Sequence, residues 1–228
     1  MLENTDIAVN PICRLRTTAG YSLLTFVRPM TALSCCVLNG GLQSVRHVLN
    51  LKVTEDDTIL TEPADTLSAA CAEMGLQEPA LGMMTAASMN SLRQHTCRFG
   101  DLYFSAIVTA GMANARRAGD PADVIENDAV LPAGTINLVV CTNASLTPAA
   151  MAEALMIATE AKVAALGTLQ IRSAKSGEIA TGTGTDAIAI ISAPDGILLR
   201  YVGKHVPAGE MLAQAVILAL TQSLQRAK

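Results

Sequence analysis

The sequence predicts an α+β protein: a single layered domain with a mostly antiparallel or mixed β-sheet, packed with about three helices. Three observations predict it. Short strand-to-strand links outnumber β-α-β crossovers, which sets most neighbouring strands antiparallel. Helical periodicity with caps occurs in only a few places. No linker, charge run or internal repeat divides residues 1–228, so they read as one domain, with 1–15 left as a loose N-terminal segment. Half of the residues are apolar and only 16% are charged, enough for a large core.

Taken in order, residues 21–27 and 31–38 are apolar, β-rich runs and read as a hairpin joined by Arg28-Pro29-Met30. They lead to Asn39-Gly40-Gly41, where the backbone needs positive φ or close approach. A polar loop follows, holding His47 and Asn50. Residues 65–74 read as a short helix, capped by Asp65 or Thr66 and stopped by Gly75. Residues 81–88, 102–109 and 135–142 read as strands. Thr147-Pro148 opens a long helix, cap first and proline in the first turn, which stops at Gly167. Residues 169–173 and 179 onward flank Lys175-Ser176-Gly177-Glu178 and read as a hairpin. Residues 187–191 and 197–202 flank Pro194-Asp195-Gly196 and read as another. Pro207 starts the last helix, whose buried stripe is Leu212, Val216, Leu220 and Leu224.

Composition removes several function classes. Net charge is −4, no basic run occurs, aromatics are 3% and tryptophan is absent, which argues against nucleic-acid binding. The polar, acidic residues 1–10 are unlike a signal peptide, and no apolar run has the length of a membrane span. Cys13, Cys35, Cys36, Cys71, Cys97 and Cys141 form no CxxC pair and no metal-ligand spacing. They read as reduced, mostly buried thiols of a cytoplasmic protein. A mean hydropathy of +0.37 leaves room for a homo-oligomeric contact.

The candidate chemistry centres on Thr181-Gly182-Thr183-Gly184-Thr185-Asp186. A Thr-Gly repeat is ordinarily strand and bulge. Here its backbone N–H groups are also suited to cradle an anion or an oxyanion. It is not a P-loop, since no Gly-Lys-Ser/Thr follows, and it lacks the third glycine of a dinucleotide fingerprint. The 187–202 hairpin would set Thr185-Asp186 beside Gly203-Lys204-His205. A lone histidine is more often structural than catalytic. Directly before a helix N-terminus, whose partial positive charge favours a neutral imidazole, His205 reads as a general base, oriented by Asp186 where the hairpin sets the two opposite; His47 and His95 read as loop residues with weaker claims. Arg116-Arg117, near Asn114, Gly119 and Asp120, is ordinarily a solvated corner but also suits a clamp on phosphate or carboxylate. Glu160 and Lys162 charge an otherwise apolar helix, so they are either paired or pointed at a site. No GxSxG nucleophile elbow is present.

Several blocks occur together: Asn39-Gly40-Gly41, Asn114-Ala115 through Gly119-Asp120, residues 158–162, residues 180–186, and Gly203-Lys204-His205 with Gly209-Glu210. In that order, across roughly residues 30–220, the chain resembles the adenosylcobinamide amidohydrolase family. The resemblance implies a corrinoid-salvage enzyme. Such enzymes hydrolyse the amide between the corrin ring side chain and the aminopropanol arm, giving adenosylcobyric acid; some relatives also act on a complete cobamide. Val206-Pro207-Ala208 stands where the family pattern has a more polar Thr-Lys-Leu run, a departure that bears on substrate preference.

Amide hydrolysis needs an activated nucleophile, a stabilised oxyanion and a proton for the leaving amine. The residues read as serving it are His205, Asp186, Thr185 and Glu160. Those read as holding the substrate are Asn39, Gly40, Gly41, Asn114, Arg117, Thr181, Gly182, Thr183, Gly184 and Lys204. The cobalt corrinoid is substrate, so no cofactor and no protein metal site is expected. The base-off corrinoid-carrier pattern Asp-x-His-x-x-Gly is absent around all three histidines. A non-catalytic corrinoid- or nucleotide-binding protein is the rival reading. A third concerns mechanism: the Gly-Thr junctions before Thr183 and Thr185 are of the kind that self-cleaving amidohydrolases open. Three alternating threonines single out no junction, and attack by water is the reading kept.

Overall fold

A computed structural model describes residues 5–53, 62–123 and 134–226. The chain is α+β, with three helices and one large mixed sheet among the described residues. In order the elements are β1 (Thr5–Asn10), β2 (Cys13–Thr17), β3 (Tyr21–Ser34), β4 (Gly41–Lys52), α1 (Pro63–Glu73), β5 (Ala80–Thr85), β6 (Arg93–Phe99) and β7 (Leu102–Ala110). There follow β8 (Ala115–Arg116), β9 (Ile136–Thr142), β10 (Ser145–Leu146), α2 (Pro148–Thr168), β11 (Gly182–Thr183), β12 (Ala187–Ser192), β13 (Leu198–Leu199) and α3 (Pro207–Arg226).

The sheet runs β1-β2-β3-β12-β9-β7-β6, with β4 on β3 and β5 on β4. The β12–β9 and β4–β5 pairs are parallel and the other pairs of this sheet antiparallel. β3 is the fold line. Its first half pairs with β2 on one side and its second half with β12, while β4 runs along the other side. The sheet therefore doubles over into two stacked faces.

Strand periodicity assigns each side chain to a layer. Ala106 and Val108 of β7, Leu138 and Val140 of β9, and Ile188 and Ile190 of β12 pack outward under α2 and α3. Their alternates, Ile107, Val139, Cys141, Ala189 and Ile191, point inward to Leu15, Phe26, Met30, Val48 and Met83 of the other face. A smaller cluster of Leu23, Leu49 and Leu67 seats α1 on the far side. The order of layers is thus helices, sheet, sheet, helix.

Several expectations change against this frame. Residues 21–38 are no hairpin. β3 is continuous through Arg28-Pro29, where its register with β4 shifts between Thr25 and Met30. Proline lacks an N–H, so it is tolerated where the ladder is interrupted, and Val27, Arg28 and Pro29 are exposed. The polar loop holding His47 and Asn50 is strand β4, and His95 lies in β6. The N-cap of α1 is Glu62, with Pro63 in its first turn, while Gly75 after it takes φ +69. Residues 187–202 are no hairpin either: β12 lies between β3 and β9, whereas β13 pairs with β10. The 169–179 hairpin reduces to a single bridge, Arg172 to Ile179. The sequence reading leaves 1–15 as a loose end; in the structure Thr5–Asn10 and Cys13–Thr17 are paired strands.

Candidate active site

The site forms where β9 and β12 begin and β3 and β7 end, all at one edge of the sheet. Beyond β7 the chain turns back as β8, and β8 pairs antiparallel with β11, setting Arg116 opposite Gly182 and Ala115 opposite Thr183. This two-stranded flap brings the arginine segment against the Thr-Gly stretch. Helix α2 supplies the third wall. Its buried stripe reads Ala154, Ala158, Lys162, Leu166, each four residues on, so a lysine occupies a core position. Burying an ammonium there requires a partner. Asp186 is that partner: Lys162 Nζ donates to its Oδ2, and the two side chains are 8% and 11% exposed.

The other oxygen of Asp186 organises the loop before β12. Its Oδ1 accepts from Ile136 N at 3.0 Å, Thr183 N at 3.1 Å and the Thr183 hydroxyl at 2.5 Å. Thr185 ties the same loop to the start of β9, donating through Oγ1 to Gly134 O at 3.0 Å and accepting from Thr135 Oγ1 at its carbonyl, 2.8 Å. Glycine is required twice. A Cβ on Gly182 would lie 2.2 Å from Asp186 Oδ2 and 2.7 Å from Lys162 Nζ, and one on Gly184 would lie 2.9 Å from the buried Asn114 amide nitrogen.

The rim is cationic. Arg117 Nη1 donates to Ile179 O at 2.9 Å and the rest of its exposed guanidinium borders the groove. Its backbone N–H donates to Asp120 Oδ2 at 2.8 Å. Hydroxyls of Ser173 and Ser176, with this N–H, hold the Asp120 carboxyl down at about 2. Arg116 pairs with Asp123 at 2.8 Å, and Asp123 also meets Lys175 at 3.1 Å. Ala118 N donates to Thr181 Oγ1 at 2.8 Å, closing the flap. Between these walls lies an open groove of about 340 Å³, lined by Arg116, Arg117, Lys162, Thr181, Thr183 and Asp186 together with Gly182, Gly184 and Ala118.

Of the residues singled out in the sequence, the groove gathers Arg116, Arg117, Lys162, Thr181, Gly182, Thr183, Gly184 and Asp186. Asn114 lies directly beneath, accepting from Gly184 N at its carbonyl, 3.3 Å. Thr185 stands just behind. Asn39, Gly40 and Gly41 form the turn between β3 and β4; Asn39 takes φ 56 and Gly41 φ 88, meeting the expected need for positive φ, and Asn39 Nδ2 donates to Ala80 O at 2.8 Å. This turn is not part of the groove lining.

The expected meeting of His205 with Asp186 does not occur. β12 is taken up between β3 and β9, and the two ends of residues 186–205 reach different faces of α2: Asp186 pairs with buried Lys162, Lys204 with exposed Glu160. Among the described residues no hydrogen bond or ion pair joins the two side chains. His205 is exposed ahead of α3, and neighbouring Lys204 pairs with Glu160 on the solvent side of α2. None of these three lines the groove. Lys162, which the sequence leaves as either paired or pointed at a site, is both: it pairs with Asp186 and lines the groove. The signal that finds it is its phase: Glu160 continues the exposed series Met156, Glu160, Ala164, while Lys162 continues the buried one.

A layered α+β domain with a cation-rich, hydroxyl-lined groove at one sheet edge is thus the class the fold and site define. Residues 10–228 match the adenosylcobinamide amidohydrolase family, and the chain belongs to that family. It is 38% identical over 168 residues to the protein MJ1613 of Methanocaldococcus jannaschii, covering 67% of this chain and 66% of that one. It is 27% identical over 197 residues to the adenosylcobinamide amidohydrolase of Methanosarcina mazei, covering 82% of this chain and 87% of that one. Among solved structures it is similar to the PH0078 protein of Pyrococcus horikoshii OT3, with 12% identity, a TM-score of 0.46 and coverage of 99% and 81%. Among the described residues no helix is long and apolar enough to cross a membrane, and no group of three or more His, Cys, Asp or Glu is placed to hold a metal ion.

Proposed function

We propose that the chain hydrolyses adenosylcobinamide at the amide between the corrin side chain and the aminopropanol arm, giving adenosylcobyric acid and aminopropanol. The observation that carries this reading is a convergence. Within a chain of this family, the blocks that resemble it at 114–120, 158–162 and 180–186 meet in one groove. The contacts of Asp186 with the Lys162 ammonium and the Thr183 hydroxyl support it. In this reading Asp186 takes the proton, Lys162 faces the developing oxyanion and Thr183 supplies a hydroxyl beside both.

Size sets the mode of binding. A groove of about 340 Å³ is far smaller than a corrin macrocycle with its adenosyl group. The arm carrying the amide therefore enters, and the ring rests on the rim. Arg117, exposed and fixed at one nitrogen by Ile179 O, is placed to meet a polar or anionic group on that arm. The cobalt belongs to the substrate, and the proposal assigns the chain no metal or cofactor of its own. It places the reaction in the cytoplasm, where salvage feeds cobamide synthesis.

The test is incubation of pure protein with adenosylcobinamide, with products separated by chromatography and weighed. Aminopropanol and adenosylcobyric acid in equal amounts are expected. Retention of intact adenosylcobinamide, bound but unconverted, would support the non-catalytic binding reading instead.

A further inference from the structure

The three threonines of the Thr-Gly stretch look equivalent in sequence, but their hydroxyls are engaged differently. Thr181 Oγ1 accepts from Ala118 N. Thr185 Oγ1 donates to a backbone carbonyl, that of Gly134, at 3.0 Å and does not line the groove. The Thr183 hydroxyl alone of the three is hydrogen-bonded to a carboxylate, Asp186 Oδ1 at 2.5 Å. That carboxylate is fixed from two sides, by Ile136 N and by the Lys162 ammonium. Thr183 is half-buried, lines the groove, and is held in β11 opposite Ala115. A hydroxyl aimed at a fixed carboxylate, with a cation beyond it, is the arrangement of a nucleophile with its base and orienting group.

On the amidohydrolase reading above, we infer that Thr183 is the nucleophile and that the reaction passes through an acyl-threonine ester. Thr183 Oγ bonds to the amide carbonyl carbon and its proton passes to Asp186 Oδ1. The oxyanion so formed faces the Lys162 ammonium. The carbon–nitrogen bond breaks, and the proton on Asp186 goes to the departing amine. Water then adds to the ester carbonyl, giving a proton to Asp186. The carbon–oxygen bond to Thr183 breaks, its Oγ regains the proton, and the carboxylic acid leaves. The sum is one amide and one water giving one acid and one amine. This route replaces direct attack by water, and it places the nucleophile within an uncut chain.

The experiment combines three measurements on the full chain. Acid quench of the parent protein during turnover of adenosylcobinamide should trap a species heavier than the resting chain by the corrinoid acyl group, and its fragments should place that mass on Thr183. Thr183→Ala should lower kcat by at least about 1,000-fold, and Thr183→Ser should retain measurable turnover. Thermal melting of both variants checks that they fold. Amine release by folded Thr183→Ala within about tenfold of the parent would overturn the assignment while leaving the activity intact. A resting chain found as two fragments summing to 23.7 kDa would overturn the route within an uncut chain, because the nucleophile would then be a freed terminus. A parent protein that releases no amine would remove both the activity and this role.

Discussion

The Lys162 ammonium and the Asp186 carboxylate meet at the floor of the groove, 24 residues apart in sequence, with side-chain exposures of 8% and 11%. Helix α2 and the loop before β12 are joined through them. Removing one member leaves the other charged and nearly dry, which costs about 3 kcal/mol when the pair is buried. Lys162→Met and Asp186→Asn are each expected to lower the free energy of unfolding by about that amount. Urea denaturation measures it. A change under about 0.5 kcal/mol in both variants would mean that water screens the pair as at an open surface.

Gly182 is required by the same pair. Because a Cβ at this position would sit 2.2 Å from Asp186 Oδ2, Gly182→Ala must push the carboxylate away from Lys162 or shift β11 off β8. A loss of about 2 kcal/mol is expected, typical of overpacking a filled site. Gly203 provides the control. A Cβ there would meet nothing within 4 Å, and its φ is not positive, so Gly203→Ala should be neutral within about 0.5 kcal/mol. Equal melting temperatures for the two variants would contradict the close packing at Gly182.

How much of this was legible in the sequence depends on whether the signal is local. Helix α2 announces itself through Thr147, whose hydroxyl accepts from Ala150 N at 3.2 Å, and through Pro148 after it. The stripe Leu212, Val216, Leu220, Leu224 is buried in α3 as its spacing predicts. Strands β7 and β9 follow from their apolar runs. Pairing was another matter. The Pro194-Asp195-Gly196 turn suggests that residues 187–191 pair with 197–202, yet β12 pairs with residues about 50 and 150 positions away, a choice set by burial on both faces. The misplaced partner for His205 follows from that one error. The phase of Lys162 was readable, but an ammonium on a buried stripe means nothing until its carboxylate is known.

His47 gives the fold a pH dependence. It lies in β4 with Nδ1 3.2 Å from Thr25 Oγ1, and burial lowers its pKa below 6.5; Glu78 opposes that shift and Arg46 adds to it. A histidine held neutral by burial binds fewer protons folded than unfolded, so stability rises with pH across this window. The contribution is complete above about pH 6.5 and is lost as pH falls toward the lowered value. Unfolding free energy measured between pH 7.5 and 5 should therefore drop more steeply in the parent than in His47→Gln. Parallel curves would contradict the burial of His47 as the cause.

The central claim is that amide hydrolysis takes place at the Lys162–Asp186 groove and not on the exposed surface of Glu160, Lys204 and His205. The most direct measurement is aminopropanol release from adenosylcobinamide by four proteins side by side: the parent, Asp186→Asn, Glu160→Gln and His205→Gln, each checked for folding. Loss of a general base costs about 100-fold or more in kcat/KM. The groove account predicts such a loss in Asp186→Asn, with Glu160→Gln and His205→Gln within about threefold of the parent. A folded Asp186→Asn as active as the parent, with His205→Gln or Glu160→Gln inactive, would contradict it.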